Sequence, residues 1–327
     1  MSDDPPAETA ITVPPITIDD VRAAAVRIAP HVNRTPVLTS DVLDERAGAQ
    51  LFFKCENFQN VGAFKARGAT NAVMLLTDEE AAKGVVTHSS GNHAAALARA
   101  AGIRGIDAHI VMPSNSPAAK VESTKRYGGK VVLCEPTLDA RETVAAQVQA
   151  DTGATFVHPY DHPHVMAGQG TTALELHEDV PDLDVVVCPV GGGGLLSGVA
   201  VVTKALRPAA AVIAAEPADA DDAARSFAAG RLIPLDHTDT VADGLRTSMS
   251  DRTFFHLQHD VDEVVTVTDD EIVTEMRLLW SVLKAVVEPS GAVGYAAAVK
   301  AREQLVGKRV GIIVTGGNLD LDRLPWQ

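Results

Sequence analysis

The stretch CPVGGGGLLSG, Cys188–Gly198, grows out of an uncharged β-branched run, Val185–Pro189, and continues into small and apolar residues. A buried strand that breaks into a glycine loop and resumes as a helix belongs to a parallel sheet flanked by helices. In such sheets ligands gather where helix N-termini meet the carboxyl ends of the strands. Gly191, Gly192, Gly193 and Gly194 let the backbone come close to a ligand and present successive N–H donors, a cradle that suits a phosphate. The dinucleotide fingerprint does not fit, since Leu196 or Ser197 stands where its third glycine belongs, and no Gly-Lys-Ser/Thr follows to make a P-loop. Glycines also permit tight packing of helix on strand, and that reading stays open beside the phosphate one.

Outward from this stretch, short β-branched runs alternate with longer Ala/Leu-rich ones, which predicts an α/β fold. Strands are expected at Leu51–Lys54, Val85–His88, Ala108–Met112, Val131–Cys134, Phe156–His158, Val185–Pro189, Val212–Ala215, Val264–Val267 and Val310–Val314. Helices are expected at Ala94–Ala101, Ala118–Tyr127, Ala140–Asp151, Thr171–Val180 and Asp269–Ala285. Two further strand ends run into polar loops, THSSGNHAAALARAAG (Thr87–Gly102) and IVTGGNLD (Ile313–Asp320). All three loops are expected to line one crevice.

The chain has 327 residues, room for about two domains. Its 28 Lys and Arg against 43 Asp and Glu give a formal charge of −15, which repels phosphate backbones and anionic lipid. Nucleic-acid and membrane partners are therefore not expected. The uncharged stretch Val185–Thr203 is interrupted by Pro189 and the glycines, so it does not read as a membrane span. Cys55, Cys134 and Cys188 form no CxxC pair, which argues for a reducing compartment and a cytoplasmic location. Residues 1–15 hold four prolines and no Lys or Arg, and read as a loose arm, not as a targeting peptide.

In GAFKARGA, Gly62–Ala69, Lys65 sits among small and apolar neighbours beside Arg67. Desolvation and the adjacent cation are expected to lower its pKa, leaving a neutral amine able to form a Schiff base. A lone lysine is more often a solvated surface charge; the combination with a phosphate cradle and a polar strand-end loop is what raises it.

Taken together these motifs resemble the fold type II pyridoxal-phosphate (PLP) family of serine/threonine dehydratases and serine racemases. The likeness runs through NRTPV (Asn33–Val37), FQNVGAFKARGA (Phe58–Ala69), SSGNH (Ser89–His93), HPYDHPHVMAGQGT (His158–Thr171), GGGGLLSG (Gly191–Gly198), EPADADD (Glu216–Asp222), VEPSG (Val287–Gly291) and TGGN (Thr315–Asn318). It implies a tryptophan synthase β-like architecture of two three-layer α/β/α domains with mostly parallel sheets. Residues 16–83 and 162–327 would form the large PLP-binding domain, and 84–161 a small mobile domain. A homodimer is implied. The chain ends soon after TGGN, so a C-terminal regulatory domain is not expected.

The resemblance makes Lys65 the anchor of PLP and the base at Cα. Phe64 would pack on the cofactor ring, Asn92 would bond its phenolic oxygen, and Gly191–Gly194 with Leu195 would hold its phosphate. Thr315 would face the pyridine nitrogen; a hydroxyl there does not force that nitrogen to stay protonated, which suits loss of a β-substituent. Ser89, Ser90, Asn92 and His93 would take the substrate carboxylate. The implied reaction is an ammonia-lyase (dehydratase) reaction on L-serine, L-threonine or 3-hydroxyaspartate.

Ser90 departs from the SAGNH more common among threonine dehydratases, and a hydroxyl there could reprotonate Cα, so serine racemase is the nearest alternative. A non-catalytic nucleotide-sensing module is a further one, disfavoured by Lys65. Arg141 is either a second-carboxylate site or a helix-surface charge. Glu216, Asp222 and the Ala220 carbonyl match a family site for Mg²⁺ (or Ca²⁺ or Mn²⁺), although an acidic solvated loop is the plainer reading of the residues. His158, His162 and His164 fit no standard metal spacing. Glu288 falls near the cofactor ring, with no role assigned.

Overall fold

The computed structural model describes residues 15–116 and 118–327, which leaves nearly all of the expected arm, 1–15, outside the described residues. The described strands are β1 (Val37–Leu38), β2 (Gln50–Cys55), β3 (Val85–His88), β4 (Ala108–Pro113), β5 (Lys130–Cys134), β6 (Thr155–Phe156), β7 (Val185–Pro189), β8 (Ala211–Pro217), β9 (Glu263–Val267) and β10 (Arg309–Val314). They form two sheets, a larger one in the order β1-β2-β10-β7-β8-β9 and a smaller one in the order β5-β4-β3-β6. Only the β1–β2 pairing is antiparallel. Helices cover the sheets, as parallel crossovers require.

β10 sits between β2 and β7, with Ile312 opposite Phe53 on one side and Val187 on the other. Every residue of β7 is buried, which is why that strand reads as an unbroken apolar run. Large apolar clusters fill both faces of this sheet. On one face Phe53 meets Tyr295 edge to face, with ring centroids 5.6 Å apart.

Nine of the strands lie where periodicity puts them, β3 and β7 end for end and the others with shifted ends. The exception in extent is β6, which stops at Phe156; His158 is instead held by loop hydrogen bonds. β1 is too short to leave a period-2 signal. The helix expected at Thr171–Val180 begins already at Pro163, where proline fills the first helical turn without losing a bond. The helix expected at Ala94–Ala101 runs Asn92–Arg104, straight through Gly102. The lysine helix, Lys65–Met74, was not among the expected elements, because Gly68, Thr70 and Asn71 lower its helical propensity and burial on all sides erases its periodicity. Among the described residues no helix is long and apolar enough to cross a membrane.

The three polar loops follow the carboxyl ends of β3, β7 and β10. The lysine segment is tied to the last of them. Phe64 N–H donates to the Thr315 carbonyl at 3.1 Å, Gly317 N–H donates to the Gly62 carbonyl at 3.0 Å, and Ala63 bridges Gly316. The chain turns into this ladder at Val61, whose φ of 58° is unusual for a β-branched residue, and at Gly62.

Candidate active site

Lys65 opens its helix, with Phe64 at the N-cap. Its Nζ donates to the Pro159 carbonyl at 2.8 Å and lies 5.0 Å from the centre of the Phe64 ring. It makes no ion pair among the described residues, and burial alone lowers its pKa to about 8. The expected help from Arg67 is absent. Two positions along a helix point about 200° apart, and Arg67 turns away from the cleft to Glu56 and Glu175, which neutralise it.

The glycine cup lies at the start of the helix Gly194–Leu206. Its first intrahelical bond runs from Ser197 N–H to the Gly193 carbonyl, so the N–H groups of Gly191–Leu195 are left without acceptors among the described residues. Such a set of orphan donors at a helix N-terminus fits a phosphate. Gly193 has φ 85°, which disfavours any side chain. The packing reading holds as well. A Cβ on Gly192 would stand 2.5 Å from the Tyr160 ring, one on Gly191 2.8 Å from Leu245 Cα, and one on Gly193 2.6 Å from Met249 Cε.

Tyr160 is a contact that motif reading missed. The strap His158–Asp161 spans from the lysine to the cup: the Pro159 carbonyl takes the amine while the Tyr160 ring lies on Gly192. His158 Nδ1 accepts the Asp161 N–H at 2.9 Å, so its proton sits on Nε2, and Asp161 pairs with Arg252 at 3.1 Å. The alternating aromatic and histidine residues were a signal, but not one that spacing could assign.

The loop after β3 contributes unequal members. Ser89 Oγ accepts the Gly91 N–H at 3.3 Å, while Ser90 makes no hydrogen bond among the described residues. His93 is buried; its Nε2 meets the Val157 carbonyl at 3.2 Å and its Nδ1 is left without a partner. Desolvation holds this imidazole well below its ordinary pKa, in the neutral form. Asn92 is already engaged: its Nδ2 donates to Glu288 Oε1 and its Oδ1 accepts from Asn318 Nδ2, both at 2.9 Å. Thr315 is buried at the end of β10, beside the lysine segment. Arg141 is half-buried with Nε unpartnered, and its charge acts on His88 and Cys134 at the ends of β3 and β5. That places it near the carboxyl ends of β3 and β5.

The acidic loop is not solvated. Glu216 and Asp222 are both buried, and burial raises their pKa values to about 8 and about 6. Glu216 accepts the N–H groups of Ala223 and Ala224 at 2.9 Å, and Asp222 Oδ2 accepts that of Met249 at the same distance. Asp222 Oδ1 is buried and accepts no hydrogen bond among the described residues, which fits an oxygen ligand to a hard cation. Among the described residues no cluster of three His, Cys, Asp or Glu is assembled for a metal.

The pyridoxal-phosphate dependent enzyme family model matches residues 28–316, and the chain belongs to that family, with the fold type II architecture. It is 56% identical to a β-hydroxyaspartate dehydratase of Paracoccus denitrificans over 95% of this chain and 99% of that protein. It is 46% identical to an L-threo-3-hydroxyaspartate ammonia-lyase of Saccharomyces cerevisiae, with 94% of each covered. The structure of maize serine racemase superimposes with a TM-score of 0.92 at 50% identity, covering 94% of this chain and 95% of that one. A lysine and a phosphate cradle facing one crevice are what such a cofactor requires, and the orphan N–H groups and the buried amine fit it.

Glu288 is the other residue whose role no motif announced. It stands at the N-cap position of the helix Pro289–Lys300 without a side-chain capping bond, accepts from Asn92 Nδ2 and from Asn318 N–H, and burial pushes its carboxyl up to about 8. A carboxyl whose folded-state pKa lies above its ordinary 4.5 favours the native state most below that pH, and the benefit is lost as the pH rises towards 8. Glu288→Gln should therefore flatten the decline of urea-unfolding stability between about pH 5 and 8 by up to one proton's share, about 1.4 kcal/mol per pH unit. An unchanged slope would show that the carboxyl titrates alike in both states.

Proposed function

We propose that this enzyme is an ammonia-lyase that dehydrates a small hydroxy-amino acid, with 3-hydroxyaspartate favoured over L-serine and L-threonine. The observation that carries the reading is the buried amine of Lys65, without an ion pair among the described residues, joined through the strap Pro159–Tyr160 to the glycine cup with its orphan N–H groups. The resemblance to the Paracoccus and yeast hydroxyaspartate enzymes supports the choice of substrate. When bound, PLP supplies a sink for the electron pair left at Cα. Lys65 Nζ, with its pKa lowered to about 8, takes the Cα proton near neutral pH. The β-hydroxyl leaves with a proton as water. The enamine that remains takes up water and loses ammonia to give the 2-oxo acid.

Backbone N–H groups of Gly191–Leu195 hold the phosphate, and the Phe64 ring, Thr315 and Asn92 border the cofactor ring. To bond the phenolic oxygen, Asn92 must share or exchange its contacts with Glu288 and Asn318. Ser89, Ser90 and Asn92, with the backbone N–H of His93, receive the α-carboxylate at the helix N-terminus, and Arg141 receives a second carboxylate through the guanidinium that lacks an internal partner at Nε. The small domain, 84–161, moves over the crevice of the large one, 16–83 and 162–327, and the enzyme works as a cytoplasmic homodimer. The free hydroxyl of Ser90 supports the second reading, a serine racemase with side dehydration.

Borohydride reduction of the holoenzyme should fix the cofactor at Lys65, identified by peptide mass. Lys65→Ala should take up none covalently and lose at least about 10³-fold in kcat. Cofactor trapped at another residue would end the assignment. Arg141→Met should lower kcat/KM for threo-3-hydroxyaspartate by about 10- to 100-fold and change the value for L-serine much less; equal losses would make Arg141 a general support. The same assays score the racemase reading, since D-serine accumulating well above pyruvate from L-serine would displace the lyase.

We further propose that Glu216, Asp222 and the Ala220 carbonyl bind Mg²⁺. Saturating Mg²⁺ at about 100 times its Kd should stabilise the protein by about 2.7 kcal/mol. Asp222→Asn should abolish that gain in thermal melts. A gain that survives in the variant would place the cation elsewhere.

A further inference from the structure

The run AGQGT, Ala167–Thr171, takes no part in the chemistry above, yet it lies on the helix Pro163–Asp179, between the two halves of the cofactor site. One side of this helix meets the lysine helix. A Cβ on Gly168 would stand 2.6 Å from Gly68 Cα, and one on Gly68 would stand 2.6 Å from the Val165 carbonyl oxygen. The other side meets the helix that starts in the glycine cup. A Cβ on Gly198 would stand 2.6 Å from both Gly170 N and the Met166 carbonyl oxygen. At both crossings backbone rests on backbone, and the side chains that also reach these glycines, Gln169 on Gly68 and Val21 on Gly170, are themselves buried, which leaves little room to absorb a change in spacing.

Polar contacts lock the first crossing. The Gly68 N–H donates to Oε1 of the buried Gln169 at 3.0 Å. Behind Lys65, Arg67 forks onto two carboxylates at once. Its Nε and Nη2 reach Glu56 at 2.7 and 2.8 Å, and its Nη1 and Nη2 reach Glu175, on the same helix as Gln169, at 2.7 and 2.8 Å. Lys54 completes the cage with a 2.7 Å bond to Glu175, so two buried cations face two carboxylates. Bidentate pairing fixes angle as well as distance, which a single ion pair does not. The helix begins just beyond Pro159 and Tyr160, which contact the lysine amine and the cup directly.

We propose that Gln169, Arg67 and Glu175 are positioning residues that, with the two glycine crossings, set the separation between Lys65 and the N–H groups of Gly191–Leu195. The proposal rests on the reading that PLP spans those two elements. A rigid ligand held covalently at one end and by its phosphate at the other tolerates little error in that separation.

The test compares holoenzyme variants Gln169→Met and Gly170→Ala with Leu279→Ala, a buried residue in the apolar cluster on the other face of the large sheet. Melting temperature, the rate of PLP release on dilution and the long-wavelength absorption band of the bound cofactor are measured for each. Gln169→Met and Gly170→Ala should release PLP at least about tenfold faster and alter the band. Leu279→Ala, with an equal or larger loss in melting temperature, should keep wild-type release and band. Equal release from the control, or wild-type behaviour in both site variants, overturns the gauge. If Gly170→Ala does not fold, Gln169→Met, which leaves every glycine at the crossings in place and removes the bond to the Gly68 N–H, decides alone. A wild type that takes up no PLP removes the site reading and the gauge with it. A wild type that holds PLP beside variants that behave like the control removes the gauge only.

Discussion

A buried amine with no counter-ion among the described residues is the constraint around which this protein is built. Desolvation of Lys65 keeps its pKa near 8, so that an appreciable fraction is a neutral amine under ordinary conditions. A carboxylate within reach would hold it charged and inert. Among the described residues its hydrogen-bond partner is a backbone carbonyl, which accepts without adding a charge.

Arg67 shows the opposite treatment of a cation on the same helix. It is as deeply buried, but two carboxylates from two other elements take up its donors, and removing either would strand a charge in the interior. The sequence sets these residues two apart; the helix sends one to the cleft and one to the core. The contrast between paired and unpaired burial separates support from chemistry. By the same criterion Glu288, Glu216 and Asp222 are buried acids with raised pKa values and no cation bonded to them, and all three border the proposed cofactor or metal sites.

The glycine loop serves two purposes through one property. Because its residues lack side chains, Tyr160, Leu245 and Met249 can lie directly on the backbone, while the N–H groups of the same backbone have no acceptor among the described residues. Packing and phosphate binding are therefore not alternatives at this position. The close cover holds the loop rigid, and a rigid loop presents its donors in a fixed array.

The sequence by itself determined the parallel α/β class, most strand positions, and the candidacy of Lys65 and Gly191–Gly194, because these rest on local patterns of burial and on residues with unusual chemistry. It did not reveal the lysine helix, whose burial on every side leaves no period to read. It misjudged Arg67, because adjacency in sequence says nothing about which way a side chain points. It gave no hint that Asn92, Glu288 and Asn318 join in one network, or that Tyr160 covers the cup. Those contacts pair residues up to 226 positions apart. Only the tertiary structure, by stacking helices at glycine crossings and bringing three strand ends to one crevice, decided which charges are neutralised and which are left free to react.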